Sequence, residues 1–371
     1  MRVVGDCTLL EVAARRPITY SVANISHAVF DVTSPYLAGF AEDRQTFAVV
    51  DEKVMLLYGP SIVRYLTERT NFVGCMSIPG NEDAKNLRTV RRIFANAMEH
   101  RLDRSAVLVA IGGGVVMDVV GLTASLYRRG IDYLRVPTTL IGIVDVAVGI
   151  KTAINFLDKK NVLGAFHAPL GAIADRRLLK TLDRRHLACG LAEIIKMGIV
   201  RDPILFELAE RHAESLLSSG FSEPADVPDE IILRAQASMI DELEPNLFER
   251  DKRRLVDFGH TVSPSLEAAS GYRMHHGEAV AVDALFSTAL ATVQGFCDKN
   301  VFHRLRALHE RISLPVSSEK LTGALAWRAF EEARKHRDGN LNLVVPTRIG
   351  NATFVQKVTS DELAAALTLM R

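Results

Sequence analysis

The stretch Ala106-Val-Leu-Val-Ala-Ile-Gly-Gly-Gly-Val-Val-Met-Asp-Val-Val-Gly121 decides the fold. It opens on an apolar run of strand length, turns through Gly112, Gly113 and Gly114, and continues with helical spacing over 115–127. A buried strand that runs through glycines into a helix is the repeating unit of a parallel α/β sheet. The glycines let the backbone come close to a phosphate, and the helix N-terminus favours its negative charge. The dinucleotide fingerprint GxGxxG is not met, because its third glycine would fall at Met117. Working outward, Thr46 to Val50 reads as a strand ending at Asp51, and Phe72 to Ile78 as another ending at Pro79-Gly80. Residues 83–102 carry apolar positions at helical spacing, and Tyr133 to Val136 gives a further strand before Pro137. Asp51, Asp118, Thr138 and Thr139 stand at or near the ends of these strands. Each alone reads as a cap or turn residue; together they fit a nucleotide crevice at the carboxyl ends of an open sheet.

Beyond about residue 176 strand-like runs become scarce, and amphipathic segments dominate at 186–200, 203–218, 228–243, 278–296 and 301–312. The expected organisation is an α/β Rossmann-like NAD-binding domain over 1–175 and a mainly α-helical metal- and substrate-binding domain over 176–371. The length of 371 residues suits two domains. With 45 Lys and Arg against 44 Asp and Glu, neither nucleic acid nor an anionic membrane is expected as a partner. Apolar runs are interrupted well short of the ~20 residues that span a bilayer. Cys7, Cys75, Cys189 and Cys297 form no CxxC pair, so no disulfide framework or zinc knuckle is expected. The opening MRVVGDCTLLEV lacks a sustained apolar core, so no secretory leader is read and a cytoplasmic setting is expected.

Three residues of the helical half fit a divalent metal. Glu193 lies in an apolar helix, Gly190-Leu-Ala-Glu-Ile-Ile-Lys196, where a bare carboxylate is costly. His260 lies in Asp257-Phe-Gly-His-Thr261 and His276 in His275-His-Gly-Glu278. Two imidazoles and a carboxylate form a common zinc set with positions open for water or substrate. His275 remains an alternative to His276, and Glu278 a candidate supporting residue. Lys151, in an apolar and glycine-bearing stretch, reads as buried, and Lys196 shares a helix face with Glu193. Buried lysines need partners, which a phosphorylated substrate would supply. Arg128-Arg129 and Lys159-Lys160 add charge at turns.

These segments jointly resemble the dehydroquinate synthase superfamily of sugar phosphate cyclases, over most of the chain. The carriers are PGNEDAK (79–85), IGGGVVMDVVGLTASLYRRG (111–130), RVPTTLIGIVDVAVGIKTAIN (135–155), KNVLGAF (160–166), LKTLDRRHLACGLAEIIK (179–196), VDFGHT (256–261) and HGEAV (276–280). The resemblance implies NAD contacts at Asp51, Glu82, Lys85, Gly113, Gly114, Asp118, Thr138, Thr139 and Lys160. It implies zinc, or cobalt, at Glu193, His260 and His276. It implies substrate-binding or catalytic roles for Arg129, Asp145, Lys151, Asn161, Lys196 and Asp257, and for one of Arg253 and Arg254. Lys335 aligns less regularly. It further implies a homodimer acting on a sugar phosphate by transient oxidation with NAD, β-elimination of phosphate, reduction and intramolecular aldol closure.

Departures narrow the expectation. The second histidine of the synthases' GHTxGH is Pro264 here, and the lysine that pairs their substrate carboxylate falls at Met239. A methionine cannot pair a carboxylate, so a substrate without one, such as sedoheptulose 7-phosphate, is expected. Glu244-Pro-Asn-Leu247, Asp257 and His336 resemble the 2-epi-5-epi-valiolone synthase branch. The 2-epi-valiolone and desmethyl-4-deoxygadusol synthases, dehydroquinate synthase and a metal-dependent polyol dehydrogenase remain alternatives.

Overall fold

The computed structural model describes residues 2–4, 7–9, 17–157 and 159–371, with side-chain surroundings from residue 17 onward. Half of the opening stretch read for a leader lies outside the described residues. Two short strands, β1 (Arg2–Val4) and β2 (Cys7–Leu9), pair antiparallel at the start.

The first half is a six-stranded sheet, every neighbouring pair parallel. In chain order its strands and helices are β3 (Ser21–Asn24), α1 (Tyr36–Ala41), β4 (Gln45–Asp51), α2 (Glu52–Arg69), β5 (Asn71–Ile78), α3 (Leu87–Glu99), β6 (Val107–Gly112), α4 (Gly114–Leu126) and β7 (Asp132–Pro137). A hairpin of β8 (Lys151–Phe156) and β9 (Lys159–Phe166) follows, and β10 (Gly171–Ala174) returns to the sheet. The spatial order is β3-β10-β7-β6-β4-β5. All of β6 and the interior of β4 are buried, as expected of strands covered on both faces. Alternation divides them: Phe47 and Val49 pack with α3 and α4, whereas Ala48 and Val50 pack with α2.

The helical half comprises α5 (Arg184–Val200), α6 (Pro203–Ser218), α7 (Val227–Leu243), α8 (Ser263–Ala269), α9 (His276–Val293), α10 (Lys299–Arg311), α11 (Gly323–His336) and α12 (Ser360–Leu369). A hairpin of β11 (Leu343–Arg348) and β12 (Asn351–Val355) interrupts them. Helices α5 and α9 are buried almost throughout and form the axis of this half. Its core also takes in Leu140, Ile143, Val144 and Val148, so the turn after β7 joins the two halves. Among the described residues no helix is long and apolar enough to cross a membrane. Cys75, Cys189 and Cys297 are free thiols.

Two readings are corrected here. The periodic stretch 83–102 begins with a short 3₁₀ turn at Glu82–Ala84, because Asn86 caps Thr89 and starts α3 afresh. Lys151, read as buried, has a side chain 60% exposed. It opens a β8 strand in which Thr152 and Ile154 point inward, so strand alternation turns the lysine out.

Candidate metal centre and adjoining cleft

The metal trio is assembled by one close helix contact and one tight turn. Gly277, in the first turn of α9, lies against α5, where a Cβ would stand 2.4 Å from the Cys189 carbonyl oxygen. That approach carries His276 to Glu193. Gly259 has φ +73°, a left-handed conformation that glycine adopts without strain, and the turn it makes delivers His260. Asp283 on α9 holds the following backbone, accepting from the Val262 and Ser263 amides at 2.5 and 2.9 Å.

One ligand atom from each of Glu193, His260 and His276 lies within 4.8 Å of the others. Glu193 Oε1 is 3.2 Å from His276 Nε2 and 3.7 Å from His260 Nε2. Donors on a tetrahedral ion with ~2.1 Å bonds stand ~3.4 Å apart, so the spacing fits zinc. Both rings are anchored through the other nitrogen. His260 Nδ1 donates to the Phe258 carbonyl at 3.0 Å and His276 Nδ1 to Glu267 Oε1 at 2.9 Å. Both acceptors can only accept, so each Nδ1 carries a proton and each Nε2 is the nitrogen turned toward Glu193. His275 is not part of this group: it caps α9, and Glu278 accepts its backbone amide at 2.8 Å while pairing with Arg185.

The electrostatics suit a cation. Burial opposes charge on Glu193, but Lys196, His260 and His276 hold its carboxyl well below the usual range. Burial likewise opposes charge on His276, yet hydrogen bonds to Glu193 and Glu267 push its pKa up to about 10. Burial, followed by the Lys196 charge, pushes His260 down to about 4. Lys196 is 2% exposed and sits 2.6 Å from Glu193 Oε2. Burial disfavours its charge, but Glu193, Asp145 and Asp257 raise its pKa.

Beside the trio lies a cleft lined by Asp145, Lys151, Lys196, Arg254, Asp257 and His260, with Met239, Leu243 and Val256 as its apolar wall. Glu249 completes it, 2.8 Å from Lys151 Nζ and ion-paired with Arg254. Of the adjacent arginines, Arg254 faces the cleft and meets Asp257 at 2.5 Å. Arg253 instead stacks over Phe354, its guanidinium 4.9 Å from the ring centroid. Arg337, which sequence reasoning passed over, is 8% exposed and reaches Asp257 Oδ2 at 3.3 Å.

The glycine turn adjoins this cleft. A Cβ on Gly113 would stand 3.0 Å from Thr139, and one on Gly114 3.3 Å from Val146, beside the cleft residue Asp145. Thr139 Oγ1 accepts the Gly142 amide at 3.1 Å, and the Thr138 amide donates to the Gly112 carbonyl at 2.9 Å. Asp51 caps α2 through Oδ1, while Oδ2 faces Gly80. Lys85 and Asp118 pair at 2.6 Å. Asn155 Nδ2 donates to Glu82 Oε1 at 2.7 Å, and Asn155 Oδ1 accepts the Asn161 backbone amide at 3.0 Å. Lys160 lies between Glu82 and Glu267, at 3.4 and 2.6 Å. Burial works against charge on Glu267, but its hydrogen bonds to His276 and Lys160 hold its pKa down to about 2.

Three expected residues stand apart from the cleft. Arg129 follows the far end of α4, a 13-residue helix and so ~20 Å along its axis from the glycine turn. Lys335 pairs with Glu332 at 2.6 Å on the exposed side of α11, and His336 is exposed at its end. A roomier hollow of about 510 Å³, between α7 and the β11–β12 hairpin, has its charges paired: Arg201 with Asp241 and Glu242, Arg234 with Asp202 and Glu230.

Residues 75–189 match the model of the 3-dehydroquinate synthase N-terminal domain and residues 190–336 that of the C-terminal domain. A 2-epi-5-epi-valiolone synthase of Streptomyces glaucescens is 43% identical over 93% of this chain and 89% of its own. A demethyl-4-deoxygadusol synthase of Trichormus variabilis is 34% identical, over 97% and 89%. The crystal structure of ValA, the 2-epi-5-epi-valiolone synthase of Streptomyces hygroscopicus subsp. jinggangensis 5008, with NAD+ and Zn2+ bound, superposes with a TM-score of 0.92. It is 38% identical, and the match covers 97% of this chain and 99% of that one. With both domain models matched in order and such relatives along nearly its whole length, the chain belongs to the 3-dehydroquinate synthase family of sugar phosphate cyclases.

Proposed function

We propose that the protein is a carbon–oxygen lyase that cyclises sedoheptulose 7-phosphate to 2-epi-5-epi-valiolone with release of phosphate. The observation that carries this reading is the cleft wall. Met239 lies there, 2% exposed, beside Leu243 and Val256, on the side where the synthases' carboxylate-binding lysine would fall. A substrate carboxylate buried against that wall would lack a partner, which costs several kcal/mol. A neutral polyol carries no such penalty. The relatives at 39–43% identity support the same substrate class.

When bound, NAD would supply a transient hydride acceptor and a divalent ion at Glu193, His260 and His276 a Lewis acid and template. The chain's own groups bind and orient. Lys151 and Arg254, at the cleft mouth, would hold the phosphate once Glu249 gives way, with Asn161 on the neighbouring hairpin. Asp145 and Lys196 would hold ring hydroxyls, and Asp257 would fix Arg254 through the pair it makes at 2.5 Å. Gly113, Gly114, Thr138, Thr139 and Lys160 would line the dinucleotide, with Asp51 and Glu82 accepting its hydroxyls. Lys85 and Asp118, paired with each other, would shape that crevice. The expected assembly is a cytoplasmic homodimer, which light scattering on the purified chain tests as about twice the 40.8 kDa monomer mass.

Incubation with sedoheptulose 7-phosphate, NAD and Zn2+ or Co2+, followed by NMR of the product, tests the activity. The spectrum of 2-epi-5-epi-valiolone is expected; its C5 epimer, or turnover of the seven-carbon acid phosphate of dehydroquinate synthases instead, would overturn the reading.

A further inference from the structure

Glu267 lies on α8, is 4% exposed, and belongs to none of the groups assigned so far to metal, nucleotide or substrate. Its two carboxylate oxygens are used separately. Oε1 accepts from Nδ1 of His276 at 2.9 Å, and Oε2 accepts from Lys160 Nζ at 2.6 Å. The first contact orients the imidazole: a carboxylate only accepts, so Nδ1 keeps a proton and Nε2 is the nitrogen aimed at Glu193 Oε1, 3.2 Å away, where a metal ion would take the place of its proton. The second contact seats the β8–β9 hairpin. Lys160 is on β9, lies 3.4 Å from Glu82, and has its ammonium 5.2 Å from the Tyr272 ring centroid. Asn155 of β8 holds Glu82 in turn, at 2.7 Å. Glu267 thus connects a metal-facing imidazole of the helical half to a nucleotide-facing hairpin of the α/β half.

We infer that Glu267 is a positioning residue that aims His276 at the metal with one oxygen and seats the Lys160 hairpin against the nucleotide crevice with the other. Carboxylates that hold the distal nitrogen of a metal-bound histidine raise its basicity and fix its orientation. The second oxygen adds a linkage. A metal that draws on His276 firms its bond to Glu267, and the same carboxylate holds Lys160, so metal and NAD each bind more tightly when the other is present.

This inference rests on the reading that Glu193, His260 and His276 hold a divalent ion. It is tested with Co2+ alone, titrated into the metal-stripped full chain and read from the visible absorption of the bound ion. NAD binding is measured by calorimetry with and without Co2+, and folding by thermal melting. E267A is expected to weaken Co2+ binding roughly 10–100-fold. E267Q, whose amide oxygen still accepts from Nδ1, is expected to lose under roughly tenfold, since a neutral acceptor makes about half as strong a bond. The E267Q amide cannot pair with the Lys160 ammonium while its oxygen serves His276, so its NAD affinity should no longer respond to Co2+. Wild-type Co2+ affinity in E267A would overturn the inference, as would a Co2+-responsive NAD affinity in E267Q. Should E267A not fold, the two E267Q readouts decide alone. Absence of Co2+ binding by the unaltered chain would instead remove the metal reading, and the inference with it.

Discussion

At the scale of single residues, the centre turns on one buried carboxylate with two imidazoles aimed at it. Glu193 is 1% exposed and faces two imidazoles whose distal nitrogens are already committed. Glu193→Ala and His260→Ala should each abolish retention of metal through gel filtration, read by elemental analysis; unchanged metal content in both would contradict the assignment. Glu249 acts in the opposite direction. It sits on Lys151 and Arg254, the cations assigned to the substrate phosphate, and so competes with it. Glu249→Gln is expected to lower KM for a phosphorylated substrate about three- to tenfold, since removing a competing charge pair is worth about 1 kcal/mol. A raised KM would show that Glu249 supports binding instead. The grouping of Glu193, His260 and His276 was legible in the sequence because a carboxylate in an apolar helix and histidines beside glycine turns are chemically conspicuous. Glu267 and Arg337 were not, since each sits in an ordinary helical context and gains its role only from what folds against it. Lys335 and His336 were singled out by the resemblance, but the exposed side of α11 turns them to solvent while Arg337 points inward.

At the scale of elements, strand–glycine–helix alternation was readable because β6 and the interior of β4 are continuous apolar runs bounded by turn residues, and β7 is one interrupted only by Arg135. The β8–β9 hairpin was not. Its lysines, asparagines and glycine interrupt any period, and its strands are held by antiparallel pairing, by Glu82 and by the two inward side chains of β8, Thr152 and Ile154. β11 was passed over although its Leu343, Val344 and Val345 are an apolar run buried in the helical core. The contact of α5 with α9 carries a sharp prediction. Alanine in a helix is ordinarily worth up to ~1 kcal/mol over glycine. At Gly277, however, the new methyl would stand 2.4 Å from the Cys189 carbonyl oxygen and 2.5 Å from its Cα, atoms of a helix backbone that cannot step aside singly. Overpacking of this kind costs ~1–3 kcal/mol, so Gly277→Ala should lower the melting temperature and weaken metal binding by parting His276 from Glu193. A variant as stable as the parent, with its metal affinity intact, would refute that account of the helix contact.

At the scale of the whole molecule, the two halves meet at the turn after β7, whose Leu140, Ile143 and Val144 belong to the helical core while Thr138 and Thr139 stand by the glycine turn. The site is therefore as stable as the packing between the halves, and the helical half has an acid-sensitive point of its own. His309 on α10 is 1% exposed, and burial pushes its pKa down to about 3. An unfolded histidine titrates near ~6.5, so below that pH the unfolded chain takes up a proton that the folded chain does not. The stability that neutral His309 lends the helical half is complete above ~6.5 and is lost as pH falls towards its folded value, by ~2 kcal/mol at pH 5. His309→Leu should flatten that acid limb in denaturant titrations between pH 7 and 5; an unaltered slope would exclude His309 as its source.

The central claim is that oxidation and reduction both occur within one turnover, beside a metal gripped by Glu193, His260 and His276. The most direct measurement follows inorganic phosphate and NADH absorbance together while the enzyme, with substoichiometric NAD, consumes sedoheptulose 7-phosphate. The account predicts many equivalents of phosphate per NAD with no net rise in NADH. Phosphate release that stops when the NAD is spent, with NADH formed in equal amount, would contradict it.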